Sequence, residues 1–187
     1  MIIPVITLWR PWCFMIEEGW KTIETRLHNK LACLKGQTIG IHVGKKWDNN
    51  WLASIHANSL QIGLLSETIN DDRIGQIICQ AYVQEFKHLD SRHSEYAMID
   101  CVYASRYGLF LKDIKKIETP KFSESQGVWY YDTEKQIKVT VKYFREQQSK
   151  ELYNMASNLF ADMIITGKPI TTDLVIQKID KLLVDLN

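Results

Sequence analysis

Apolar and polar residues alternate in short runs over the first 132 positions, and the period lengthens afterwards. Residues 2–9 are rich in β-branched side chains and predict a strand. Pro11 suits the first turn of a helix, where its missing N–H costs nothing. Residues 12–18 follow as barely two turns, with Gly19 placed to end them in the left-handed conformation. Residues 20–26, with their Thr and Ile, predict a second strand. Residues 38–43 predict a third, with Ile39, Ile41 and Val43 on its inner face. Residues 44–48 read as a turn and connector, after which Asn49 or Asn50 can cap a short helix through Trp51, Leu52, Ile55 and His56. Mixed signals over 58–73 predict mostly loop. The longest strand pattern covers 76–86, a polar connection covers 88–98, and further strands are predicted at 107–117 and 128–131.

Beyond Asp132 the pattern changes. Residues 134–144 alternate Ile137, Val139 and Val141 against Lys138, Thr140 and Lys142, which fits a strand. Leu152, Met155, Ala156, Leu159, Phe160, Met163 and Ile164 then repeat at helical spacing and predict an amphipathic helix. Gly167 and Pro169 interrupt it, and Thr171 or Thr172 can cap a last helix carrying Leu174, Val175, Ile179, Leu182, Leu183 and Leu186. The expectation is an α+β chain: a domain over 1–132, a small β-barrel with flanking helices, and a C-terminal strand and two-helix extension over 133–187.

At 187 residues the chain can bury a sizeable core without metal or disulfide staples. A net charge of +1 gives no strong global field, so any polyanion must be held by a local patch. Cys13, Cys33, Cys79 and Cys101 form no C-x-x-C pair and each lies in or beside an apolar run, which predicts reduced core thiols. No apolar run approaches the length of a membrane span. The apolar N-terminus lacks a basic region and a cleavage site, so a cytoplasmic protein is expected. No histidine and cysteine spacing fits a metal, and no cofactor motif is present, so neither metal nor cofactor is expected.

Candidate chemistry concentrates in residues 19–26. Strand alternation puts Thr22, Glu24 and Arg26 on one face, with Lys21 opposite unless a bend after Gly19 returns its amine toward Glu24. Two readings stay open: a solvated face with weak ion pairs, or a cleft joining a phosphate-binding charge to a carboxylate that accepts from a base or activates water. Trp9, Trp12, Trp20, Trp47 and Trp51 lie around this segment and among Arg10, Lys21, Arg26, Lys45 and Lys46. Core packing accounts for any one tryptophan; several beside cations would also supply stacking surfaces next to phosphate contacts. Residues 1–50 hold seven basic and four acidic side chains, a modest local excess of +3.

Four ordered matches carry a resemblance. These are Leu8-Trp9-Arg10-Pro11-Trp12, then Gly19-x-Lys21-x-x-Glu24-x-Arg26, then Ile39 to Trp47, and finally Gln126-Gly127-Val128-Trp129. Together they resemble the ASCH domain family, in the form found in bacterial and phage members, over roughly residues 2–132. The resemblance implies a PUA-like fold, a small β-barrel whose openings are covered by helices, with the signature residues lining a cleft. It implies RNA-linked roles, and the extension after Asp132 matches no pattern of that family. One branch of similar fold hydrolyses the acetyl amide of N4-acetylcytidine, using a lysine matching Lys21, a threonine three residues later and a downstream glutamate. Here the threonine position is Glu24, so that hydroxyl nucleophile is absent.

The expected function is therefore binding of RNA, other single-stranded nucleic acid or a nucleoside. Trp9, Arg10, Trp12, Lys21, Glu24, Arg26, His42, Lys45, Lys46 and Trp129 are the candidate contacts. Lys21, Arg26, Lys45 and Lys46 would meet phosphate, Glu24 a base edge, and Trp9, Trp12 or Trp129 a stacked base. The alternative is a hydrolase of a modified nucleoside or of RNA phosphodiesters, with Lys21 and Glu24 as the catalytic pair. A protein partner for the C-terminal helices is a third expectation.

Overall fold

A computed structural model describes residues 1–54, 56–101, 106–123 and 127–139, together with 150 and 154. Contacts divide the chain into Met1–Val139 and Thr140–Asn187. The helix predicted over 171–186 lies outside the described residues, as do Gln126 and all of the helix predicted over 152–164 except Asn154.

Met1–Val139 is built on one seven-stranded sheet. Its strands are β1 (Ile2–Arg10), β2 (Ile23–Arg26), β3 (Thr38–Trp47), β4 (Ile77–His88), β5 (Tyr107–Lys116), β6 (Val128–Asp132) and β7 (Ile137–Val139). They lie in the order β2-β5-β4-β3-β1-β6-β7. β1 and β3 are parallel; every other pair is antiparallel. Among the described residues four short helices accompany them: α1 (Trp12–Glu17), α2 (Trp51–Ser54), α3 (Ser59–Glu67) and α4 (Ser94–Ala97). The α+β class is as expected. The expected barrel is not closed by strand pairing, because the sheet ends in the edge strands β2 and β7.

The inner-face residues predicted for β3 lie in the core, although the alternate residues Gly40, His42 and Gly44 are buried as well. Ile39, Ile41 and Val43 of β3 are fully buried with Ile6 and Leu8 of β1 and Cys79, Ala81 and Val83 of β4. Each such aliphatic side chain contributes about 1.5–3 kcal/mol by leaving water. α1 closes one side of this cluster with Phe14, Met15 and Ile16. A second cluster, Ile3, Val5, Ile77, Trp129 and Tyr131, lies around β6.

Three local expectations change. Residues 44–47 continue β3 rather than turning, because Arg10 still pairs with Trp47 across the sheet. Residues 59–67 form α3 rather than loop, held by a capping box in which Asn58 Oδ1 accepts from the Gln61 N–H and Gln61 Oε1 accepts from the Asn58 N–H. Its apolar residues Leu60 and Leu64 are exposed, so no amphipathic stripe announced it. Cys33 is exposed on the 3-10 turn Ala32–Leu34, whereas Cys13, Cys79 and Cys101 are buried thiols.

Candidate functional site

The site begins at the end of α1. Gly19 has φ +74°, and its N–H donates to Ile16 O at 2.9 Å while the Trp20 N–H donates to Met15 O at 3.0 Å. This pair of bonds is a Schellman motif, which needs a left-handed residue at Gly19. The Lys21 N–H also donates to Met15 O. The reversal delivers Lys21 into the interior just before β2, so the strand starts at Ile23 and not at Trp20.

Lys21 is 1% exposed. Its ammonium donates to Ile23 O at 2.8 Å and to Ala97 O at 2.7 Å, and lies 3.6 Å from Glu24 Oε2. Two main-chain hydrogen bonds and one ion pair thus hold the ammonium. Burial pushes the Lys21 ammonium below its ordinary value, against the attraction of Glu24. Glu24 is itself 4% exposed, and its Oε1 lies 2.9 Å from Arg26 Nη1. The carboxylate stands between two cations, one internal and one at the rim. Its oxygens keep acceptor capacity beyond these two contacts.

A cleft of about 540 Å³ opens over this pair, bordered by Trp9, Trp12, Lys21, Glu24, Arg26 and Arg106 among others. That volume lies in the range of small-molecule sites. β1 and β2 both line it although three strands separate them in the sheet. A flat sheet would hold them roughly 19 Å apart, so the sheet must curl to bring them to one opening. Trp12 is fixed there by its indole N–H, which donates to Asp48 Oδ2 at 3.0 Å, and its ring lies 5.5 Å from Lys21 Nζ. Asp48 Oδ1 accepts from the Asn50 N–H. Trp9 is exposed, with Lys46 Nζ 3.5 Å from its ring centre.

The remaining candidates lie elsewhere. Arg10 is buried, its Nη1 donating to Ile69 O and its Nη2 to Lys45 O, so it ties β1 to the end of β3 and to the 3-10 turn Thr68–Asn70. Lys45 is exposed but does not border the cleft. His42 is fully buried: Nε2 meets Gly75 O at 3.0 Å and Nδ1 meets Thr7 Oγ1 at 3.1 Å. Trp129 is buried in the second cluster and donates through Nε1 to the same Thr7 hydroxyl at 3.2 Å. Because a carbonyl only accepts, His42 Nε2 carries hydrogen. The chain of bonds then runs from Trp129 through Thr7 to His42 and on to Gly75. His42, Trp129 and Arg10 therefore hold the fold together at positions expected to contact ligand, because interior partners take up the ring nitrogens of His42 and Trp129 and both Nη atoms of Arg10.

Sequence reasoning did not single out Arg106, which borders the cleft, or Asp48, which fixes Trp12. Arg106 precedes β5 and comes to the site only through the antiparallel β2–β5 pairing, with Arg26 opposite Tyr107. No local pattern signals that pairing. Among the described residues no group of three metal-ligating side chains occurs, and no helix is long and apolar enough to cross a membrane.

No family model matches the sequence, and no curated protein matches it. Similarity to solved structures is found. A crystal structure of ASCH from Zymomonas mobilis is 16% identical, with a TM-score of 0.46 over 78% of this chain and 93% of that one. Structures of two single-substitution mutants of the same Zymomonas mobilis protein give 15% and 14% identity and TM-scores of 0.43 and 0.41. Each covers 78% of this chain, and 94% and 96% of its own.

Proposed function

We propose that this chain is an ASCH-like module that binds single-stranded nucleic acid, RNA foremost, by taking a nucleobase into the Trp12–Lys21–Glu24–Arg26 cleft. The observation that carries the reading is the Glu24 carboxylate, held near-buried between Lys21 and Arg26 yet bordering a cleft of ligand size. A fixed carboxylate with spare acceptor capacity suits the amino edge of a base, as carboxylates accept from exocyclic amines in known recognition. Trp12 offers a ring beside it, and exposed Trp9 with Lys46 offers a stacking surface near a phosphate-binding charge. The match of residues 19–26 to the family signature supports the same cleft.

The test is titration of the full chain with short single-stranded RNA and DNA at several salt concentrations. Binding should weaken steeply as salt rises, and Glu24→Gln should cost roughly tenfold or more in affinity. Unchanged affinity in Glu24→Gln and Trp12→Leu, with the fold intact, would sink the reading.

A second reading, hydrolysis of a nucleoside amide or an RNA phosphodiester, draws on one observation: burial lowers the Lys21 ammonium beside a carboxylate in a cleft. Two features favour binding over this chemistry. Lys21 directs its hydrogens at two main-chain carbonyls, and a carboxylate occupies the position of the family threonine. Turnover of N4-acetylcytidine or of a short RNA by wild type, lost in Lys21→Met, would reverse the preference.

A further inference from the structure

Among the described residues, Arg106 stands apart from the other charged groups of the cleft. The Glu24 carboxylate is engaged by Lys21 and Arg26. The Asp48 carboxylate accepts from the Trp12 indole and the Asn50 N–H. The Arg106 guanidinium has neither an ion pair nor a hydrogen bond among the described residues, and its Nε is buried without a partner. Arg10 also has a buried, unpartnered Nε, but its two Nη atoms are held by the carbonyls of Ile69 and Lys45. Arg106 has no such internal use. Its own main chain is pinned, because its carbonyl accepts from the Leu89 N–H at 2.8 Å.

Leaving a guanidinium donor half-buried without a partner is unfavourable, and a fork of N–H donors matches the oxygens of a phosphate. The position fits as well. Tyr107 pairs with Arg26 at the end of β2, so Arg106 sits one residue past that pair, where Leu27 and His28 leave the strand at the edge of the cleft. We infer that Arg106 is a phosphate subsite, and that the ligand of this cleft is a nucleotide or nucleotide unit of a strand, not an uncharged nucleoside. The subsite rests on the base-binding reading above, with Glu24 and Trp12 taking the base and Arg106 the adjoining phosphate.

The test is calorimetric titration of wild type, Arg106→Gln and Arg106→Lys with cytidine and guanosine, their 5′- and 3′-monophosphates, and inorganic phosphate alone. A monophosphate should bind wild type about 10- to 100-fold tighter than its nucleoside. Arg106→Gln should remove that advantage while leaving nucleoside affinity unchanged, and Arg106→Lys should restore part of it. Equal affinity of nucleoside and monophosphate for wild type would overturn the inference. So would an equal loss of both ligands in Arg106→Gln, which would mark a structural role. If only inorganic phosphate binds, and Arg106→Gln abolishes this, the subsite stands and the base-binding reading falls. If neither the nucleotides nor phosphate bind, the subsite falls too.

Discussion

The Lys21 ammonium donates to the Ala97 carbonyl at 2.7 Å, across a sequence separation of 76 residues. The bond joins the turn before β2 to the last residue of α4 and places the cation beside Glu24. Lys21→Met keeps the apolar stem but removes this donor. It should lower stability by about 2–4 kcal/mol. The readout is a fall in urea midpoint with an unchanged slope.

The same residue sets an alkaline signature. Burial lowers the Lys21 value in the folded chain below the ordinary 10.5. Between the lowered value and the ordinary one, the unfolded chain binds more protons, so this site's contribution to stability rises with pH. Unfolding of wild type and Lys21→Met across that window should show a difference, wild type minus variant, that grows more favourable to wild type as pH rises. Parallel curves would mean that the lysine is not depressed.

Thr7→Val should break the relay between Trp129 and His42 while preserving shape. It strips an acceptor from the indole N–H and a partner from His42 Nδ1. A loss of roughly 1–3 kcal/mol is expected. A variant as stable as wild type would show that the three groups find other partners.

Gly108→Ala should damage the site through the sheet. A Cβ there would lie 2.6 Å from Ile23 Cγ2 and 2.6 Å from Leu89 Cδ2, and Gly108 pairs with Thr25 in β2. Overpacking of this kind costs about 1–3 kcal/mol. Relief by lifting β2 would carry Glu24 and Arg26 with it, so nucleic-acid affinity should fall in the folded variant. Measuring binding well below the unfolding temperature separates the two effects.

Thiol reactivity should separate Cys33 from the rest. Burial holds the Cys79 thiol up to about 12 and raises those of Cys13 and Cys101, while Cys33 is exposed. A disulfide reagent should modify one thiol rapidly in the native chain, identified as Cys33 by mass, and four after denaturation. Where the unfolded thiols ionise near 9 and the buried ones do not, stability falls as pH rises. This slope opposes that of Lys21, so the Lys21→Met comparison must be made at matched pH.

The strands β1, β3, β4 and β5 were legible because β-branched and aromatic residues concentrate in them between marked turns, although burial along β1 and β3 is continuous because both faces are covered. α3 was not, because Leu60 and Leu64 are exposed while Leu65 is buried, which leaves no clear apolar stripe, and only the Asn58–Gln61 capping pair betrays it. At the site, alternation put Lys21 opposite Glu24 unless a bend after Gly19 returned its amine, whereas the helix stop at Gly19 was readable from local spacing. That His42 and Trp129 would share one threonine inside the core was not, since Thr7 and Trp129 meet across 122 positions.

By itself the sequence determined which residue types stand near one another along residues 19–26, and where the chain must reverse. Backbone propensity and glycine conformation act over a few residues, so such features need no fold. The tertiary structure decided which of the charged groups remain available. Arg10 and Lys21 are committed to main-chain carbonyls, Glu24 and Asp48 already have donors, and Arg106 comes to the cleft only because β5 pairs with β2. Whether a polar group is satisfied depends on partners far along the chain, and curling the sheet to bring β1 and β2 to one cleft is a property of the whole sheet.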